Sequence, residues 1–219
     1  MIHWFDVAWN PLGYPVTWIE FISVFSGIVA VYLAAKEKIF TWPLGLINIT
    51  TAFFIYYHVQ LYSDMFLQIY FFGISLYGWW IWKNEQKEKI PLKWLSLQQK
   101  YYLIILLTIV SLLTGYLISQ LHEYFPSIFE KPAAYPYSDS LVAIASIFAN
   151  TLMARRYIES WVLWIVIDII CVYLYFQKDI LFIALEFLVF LLLAILGWVN
   201  WLQLKKKQDL SLQMNHRLG

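Results

Sequence analysis

Trp161, Trp164 and Asp168 fall at i, i+3 and i+7 within an otherwise apolar stretch, so a helix presents all three on one face. A carboxylate midway along an apolar span costs about 2.5–3.5 kcal/mol on insertion scales, so it should face a cavity or a partner. Two indoles beside it make a flat, electron-rich wall. The combination suits a positively charged aromatic ring, with cation–π attraction of about 0.5–2 kcal/mol, while the carboxylate accepts from hydroxyl groups. The alternative is that the indoles fill a helix bundle and Asp168 bonds a neighbouring helix. Asn48 is a second candidate, because its amide both donates and accepts, as a carboxamide ligand requires. Its alternative is an interhelical hydrogen bond. Asp64 and Gln68 share a helical face at i, i+4. Gln68 lies deep enough to meet a ligand, whereas Asp64 stands near a helix start, where it can cap. Glu186, inside the last apolar stretch, is a candidate on the same cost argument as Asp168. Trp42 completes the set: it opens its own helix with Pro43, which the first turn tolerates.

These residues must be positioned by membrane-spanning helices. The 219-residue chain is 62% hydrophobic and 13% charged, with a mean hydropathy of +0.64, whereas soluble domains are about half apolar and a quarter charged. Seven stretches, 17–35, 42–58, 63–82, 101–121, 137–154, 160–177 and 180–203, are mostly apolar. Each approaches the ~20 residues that cross ~30 Å of hydrocarbon. The expected fold class is all-α, a polytopic membrane protein of seven transmembrane helices. Residues 1–13 carry no Lys or Arg ahead of a hydrophobic region, so no signal peptide is expected and helix 1 serves as its own insertion signal.

The two halves align at one offset of 119 residues. Trp42 maps onto Trp161, Gly78, Trp79 and Trp82 onto Gly197, Trp198 and Trp201, Glu20 onto Asp139, Lys36 onto Arg155 and Tyr56 onto Tyr175. Gly45 stands where the second half has Trp164, and Asn48 meets Ile167, so the scaffold is duplicated but the site is asymmetric. A three-helix unit ends on the side opposite its start, and one extra crossing restores the orientation of the second copy. The expected plan is two parallel three-helix repeats joined by a linker helix. Residues 1–16 form an outer segment, 17–82 repeat 1, 83–121 a cytoplasmic linker and helix 4, 137–203 repeat 2 and 204–219 a cytoplasmic tail.

Lys and Arg divide 13 to 2 between the two sides, Lys131 and Lys178 being the minority. The positive-inside rule then puts the N-terminus outside and the C-terminus in the cytoplasm. Lys205–Lys207 reads as an anchor on anionic lipid rather than a nucleic-acid patch. Trp4 and Trp9, and the group Trp79, Trp82, Trp198 and Trp201, are expected as interfacial belts. Cys171 is alone, which excludes an intrachain disulfide. His3, His58, His122 and His216 lie outside the bundle core, and no acidic cluster suggests a metal. There is no G-x-x-x-x-G-K-[ST], hence no nucleotide-driven pump on this chain. No nucleophile–base pair lies in a span, so neither an enzyme nor a cofactor is expected. A 26.1 kDa bundle with many flat aromatic faces is compatible with a homo-oligomer. A duplicated membrane unit with midplane polar residues favours transport over a receptor or scaffold without flux.

The 3+1+3 plan resembles the sugar-transporting SWEET family. The residues themselves resemble another. Trp-Pro-Leu-Gly-Leu-Ile-Asn at 42–48, Leu-Tyr-Ser-Asp at 61–64 followed by Gln68, Gly-Trp-Trp-x-Trp at 78–82, and Trp161-x-x-Trp164-x-x-x-Asp168 look like the PnuC family of vitamin-precursor transporters. The resemblance runs from about Trp18 to Trp201. It implies a bacterial cytoplasmic membrane protein that carries nicotinamide riboside, with thiamine, riboflavin or a deoxynucleoside as alternatives. It also implies that an intracellular kinase traps the imported nucleoside. Nicotinamide riboside has the cationic ring that the Trp161–Asp168 face suits. The expected site lies between the repeats near mid-membrane, lined by Trp42, Asn48, Asp64, Gln68, Trp161, Trp164, Asp168 and Glu186.

Overall fold

The computed structural model describes residues 4–13, 15–58, 62–88, 91–125, 132–133, 135–177 and 181–218. Seven helices dominate them: α1 (Trp18–Ala35), α2 (Thr41–His58), α3 (Tyr62–Glu88), α4 (Leu97–Tyr124), α5 (Pro136–Ala154), α6 (Glu159–Gln177) and α7 (Leu181–Leu218). The chain is a multi-pass bundle. α1, α4, α6 and α7 are each long and apolar enough to cross a membrane alone. α2, α3 and α5 mix Tyr, Thr, Ser and Asn into their apolar runs, and each packs against at least two other helices. Protein neighbours therefore take up polarity that lipid would not.

Several helix ends are written locally. Thr17 starts α1 with a capping box: Thr17 Oγ1 accepts from the Glu20 N–H at 3.4 Å, and Glu20 Oε2 accepts from the Thr17 N–H at 2.8 Å. Ser96 and Gln99 do the same for α4 at 3.2 and 2.9 Å. Pro136 supplies the pre-set first turn of α5.

The duplication is visible element by element. α1 and α5 end at Ala35 and Ala154, α2 and α6 at His58 and Gln177, and α3 and α7 begin at Tyr62 and Leu181, each pair separated by the same 119 residues. The repeats meet through α1 on α7 and α3 on α5, two contacts that exchange when the repeats are exchanged. α4 packs on α5 and turns most of its surface, including Ile104, Ile109, Leu113 and Leu117, outward. A soluble protein would seldom expose such a face; a lipid-facing helix requires one.

The turns after α1 and α5 are also copies. In each, the fifth and sixth N–H groups close a Schellman motif: Glu37 N–H to Ala34 O at 3.0 Å and Lys38 N–H to Leu33 O at 2.9 Å, then Arg156 N–H to Met153 O and Tyr157 N–H to Leu152 O, both at 2.9 Å. The left-handed residue of such a turn is usually glycine. Here it is Glu37 (φ 57°) and Arg156 (φ 66°), at about 1–2 kcal/mol each. The two side chains form an ion pair with each other. Burial brings the Arg156 guanidinium down to about 10, so it stays charged at neutral pH.

Two features depart from the expected plan. Residues 7–9 and 16–17 pair as a short antiparallel hairpin, β1 (Val7–Trp9) with β2 (Val16–Thr17), at the N-terminal end of the bundle. At the opposite end, the stretch before α4 is a strap rather than a free linker. Lys93 donates its N–H to Arg156 O at 3.0 Å and accepts from the Ile158 N–H at 3.1 Å. The Leu92 N–H bonds Gln208 Oε1 at 3.1 Å, and the Leu95 N–H bonds the Glu159 carboxylate. The 38 residues of α7 span about 57 Å, so its last turns project past the bundle and give the strap something to hold.

Candidate functional site

The strap end is closed by tryptophan. Trp42, Trp82, Trp161 and Trp201 are all buried, between 0 and 4% exposed. They touch in series: Trp42 meets Trp82 edge-to-face at 5.4 Å, Trp82 meets Trp201 at 5.9 Å, and Trp201 meets Trp161 edge-to-face at 5.6 Å. Ala34, Ala35, Ala154 and Ala194 provide the room around them. Glycine provides the rest, identically in both repeats. A Cβ on Gly78 would lie 2.3 Å from the Trp42 ring, and one on Gly197 would lie 2.6 Å from the Trp161 ring. The Gly/Trp landmarks of the repeat are therefore packing partners. This corrects the expected belt: Trp82 and Trp201 form the core, whereas Trp79 and Trp198, at 36 and 37% exposed, face outward.

The Trp201 indole N–H donates to Ala34 O at 3.0 Å, fastening α7 to the end of α1. Among the described residues, the other three indole N–H groups of the series have no acceptor. A buried N–H left unpaired costs about 1–3 kcal/mol, so the packing of these indoles carries a polar cost.

Behind this plug α6 continues with Trp164 and Asp168. Trp164 is partly buried and packs against both the tryptophan cluster and a second apolar cluster of Ala145, Ala149, Ile167 and Cys171. Asp168 is 4% exposed and lies about 14 Å along α6 from Glu159, at the middle of its 19 residues. Among the described residues none hydrogen-bonds its carboxylate. Of the predicted pairings, the structure thus keeps Trp164 and Asp168 on one face of α6, and it sets Trp42 and Trp161 in the plug below them.

Asn48 points elsewhere. Its Nδ2 donates to Ser23 O at 2.8 Å and to Ser23 Oγ at 3.2 Å, tying α2 to α1. A Cβ on Gly27 would sit 2.9 Å from that nitrogen and 3.6 Å from Phe190 of α7, so Asn48 reaches the seam between the repeats. One turn from Phe190 on α7 is Glu186, partly buried and close enough to Glu20 of α1 for that charge to act on it. Gln68 is partly buried on α3 and has an interaction partner. Asp64 falls in the first turn of α3, and its side chain lies outside the described residues. The seam of α1 and α7 thus holds Glu20, Ser23, Asn48 and Glu186 on the N-terminal side of the plug. Ser23 was not singled out from the sequence, and Glu20 entered only as a repeat landmark matched to Asp139.

No group of three or more His, Cys, Asp or Glu side chains among the described residues is arranged to hold a metal ion.

Comparison with known proteins supplies the remaining findings. The sequence model of the family described as "Nicotinamide mononucleotide transporter" matches residues 17–203. The nicotinamide riboside transporter PnuC of Escherichia coli (strain K12) is 30% identical over 211 residues, covering 86% of this chain and 87% of that protein. PnuC of Neisseria mucosa is 27% identical, covering 89 and 76%. The riboflavin/roseoflavin transporter RibM of Streptomyces davaonensis is 20% identical, covering 89 and 88%. Among solved structures, the crystal structure of the vitamin B3 transporter PnuC matches with a TM-score of 0.64 at 24% identity, covering 87% of this chain and 83% of that one. That likeness carries the fold.

Proposed function

This chain belongs to the nicotinamide mononucleotide transporter family, and from that premise we propose that it carries nicotinamide riboside across the bacterial cytoplasmic membrane by facilitated diffusion. The observation that carries the reading is the buried Asp168 carboxylate one helical turn from the Trp164 indole, on a spanning helix. Nicotinamide riboside offers a cationic ring to the pair and hydroxyls to the carboxylate. Charge complementarity would then offset the cost of holding Asp168 in the membrane. Riboflavin is the second reading, favoured by the similarity to RibM. Its ring system is neutral and wider, so it would gain no charge attraction from an anionic Asp168, only hydrogen bonds from its hydroxyl-bearing chain.

The N-terminal end is taken as the outer one, and the strap and the tryptophan plug as cytoplasmic. Substrate enters from the N-terminal side, binds above the plug near Asp168, and leaves when the plug parts. The two repeats rock about their α1/α7 and α3/α5 contacts. A passive carrier only equilibrates its substrate; phosphorylation by a cytoplasmic kinase keeps the free nucleoside low and draws more in.

Sealed liposomes lacking the kinase provide the test. Labelled nicotinamide riboside should enter until inside equals outside, and lumenal kinase with ATP should then produce accumulation. Accumulation in kinase-free vesicles under a proton or sodium gradient would overturn the passive reading. Faster uptake of riboflavin than of nicotinamide riboside would overturn the substrate.

A further inference from the structure

We propose that Glu37 and Arg156 are the latch of the cytoplasmic gate: their ion pair holds the two repeats shut below the plug and must separate for substrate to leave. The inference rests on the transport reading above and adds the residues that time the opening.

Three observations converge on the pair. First, each residue occupies the left-handed position of a Schellman turn, where glycine is the low-cost choice, so the side chains are retained against the backbone's preference. Second, the residues belong to opposite repeats and meet each other. Third, the pair is built into the plug. Arg156 is fully buried, and its guanidinium carbon lies 5.4 Å from the centroid of the Trp82 ring, the indole that joins the two repeats' tryptophans. The nearby Trp201-to-Ala34 hydrogen bond spans the same junction.

The two partners are held differently. The Arg156 turn is clamped by the strap, which bonds the Arg156 carbonyl and the Ile158 N–H. The Glu37 side chain is 16% exposed against 0% for Arg156. Water therefore reaches the pair from the Glu37 side. Glu37 is the moving half, and Arg156 is the fixed post. Breaking a buried pair leaves an uncompensated charge unless water enters with it, so opening admits solvent and substrate together.

Two experiments test this. Cys171 is first replaced by Ala to remove the native thiol. Met153, buried beside the plug, is then replaced by Cys as a reporter. Glu37→Gln should speed the labelling of that thiol by a membrane-impermeant maleimide from the cytoplasmic side at least about fivefold. An unchanged rate in protein of unchanged gel-filtration profile would make the pair a static staple and overturn the latch. In the second experiment, Glu37→Cys/Arg156→Cys is bridged with a short bifunctional methanethiosulfonate, since a direct disulfide needs closer backbones than an Arg–Glu contact ensures. Bridging should cut nicotinamide riboside uptake at least about tenfold, and reductant should restore it. Uptake equal in bridged and reduced protein would refute the latch. If the reduced protein carries neither nicotinamide riboside nor riboflavin while the parent also carries neither, the transport reading fails, and the labelling rates alone decide the latch.

Discussion

Gly78→Ala should destabilise the protein, and Gly45→Ala should not, although both add one methyl to a helix. On Gly78 the new Cβ would stand 2.3, 2.4 and 2.7 Å from three atoms of the Trp42 ring, whereas ordinary contact begins near 3.4 Å. The ring must retreat by about 1 Å, and it has nowhere to go. It is 4% exposed, its face is met edge-on by Trp82, and Trp82 in turn leans on Trp201. Overpacking of this kind costs about 1–3 kcal/mol, offset in part by the roughly 1 kcal/mol that Ala gains over Gly inside a helix. Gly45 has nothing within 4 Å of its added Cβ and keeps only the gain. At about 2–4 °C per kcal/mol for a chain of this size, Gly78→Ala should lower the melting temperature in detergent by several degrees, and Gly45→Ala should leave it level or raised. Heating followed by gel filtration measures both. Gly197→Ala, with its Cβ 2.6 Å from the Trp161 ring, should behave like Gly78→Ala. The double variant should lose less or more than the two singles together, because Trp82 and Trp201 connect the sites. A Gly78→Ala protein that melts together with Gly45→Ala would refute the reasoning.

Further outcomes follow from the other contacts. Asp168→Asn should weaken binding of cationic nicotinamide riboside more than that of its neutral reduced analogue, measured by calorimetry on purified protein; equal losses would assign Asp168 to hydrogen bonding or structure. Asn48→Ala should cost about 0.5–1.5 kcal/mol of stability by removing the 2.8 Å bond to Ser23 O, read as a lower melting temperature; an unchanged melting temperature would show that the α1/α2 contact stands without it. Single cysteines at Gly13 and Gln208, in a background without Cys171, should be labelled from opposite sides of the membrane, outside and cytoplasmic respectively. Labelling from one side would contradict an odd number of crossings.

Much of the architecture was legible because apolar run length and the 119-residue offset are both local properties of the chain. Trp42 and Gly78 could be matched to Trp161 and Gly197 without knowing that each glycine makes space for its tryptophan. What the offset could not give was which side of a helix faces protein. Trp79 and Trp82 differ by a single turn, yet one faces outward and the other lies in the plug, and apolarity ranks them alike. Asn48 was a candidate ligand on chemistry alone, and its Nδ2 is occupied by Ser23, a residue 25 positions away. The strap escaped notice because backbone hydrogen bonds carry no residue signature: Lys93 reads as a linker charge whether or not its N–H finds Arg156. Glu37 and Arg156 were within reach, since they stand at matching positions with opposite signs. They were passed over because the pair just before them, Lys36 and Arg155, matches in charge.

That reversal of sign has a consequence for ancestry and design. Suppose a single three-helix unit paired with an identical copy of itself around a twofold axis. The residue in the left-handed turn would meet its own duplicate there, Glu facing Glu or Arg facing Arg, and like charges at such close range repel. A self-paired half-length protein must put something neutral at that position or leave the junction apart. Once both units lie on one chain, the two positions can diverge independently, and attraction replaces the conflict. Covalent fusion therefore gave this molecule more than a fixed stoichiometry. It made available opposite charges at two equivalent positions, which a symmetric pair cannot encode, and an engineered dimer of residues 1–82 alone should be expected to lack that clasp.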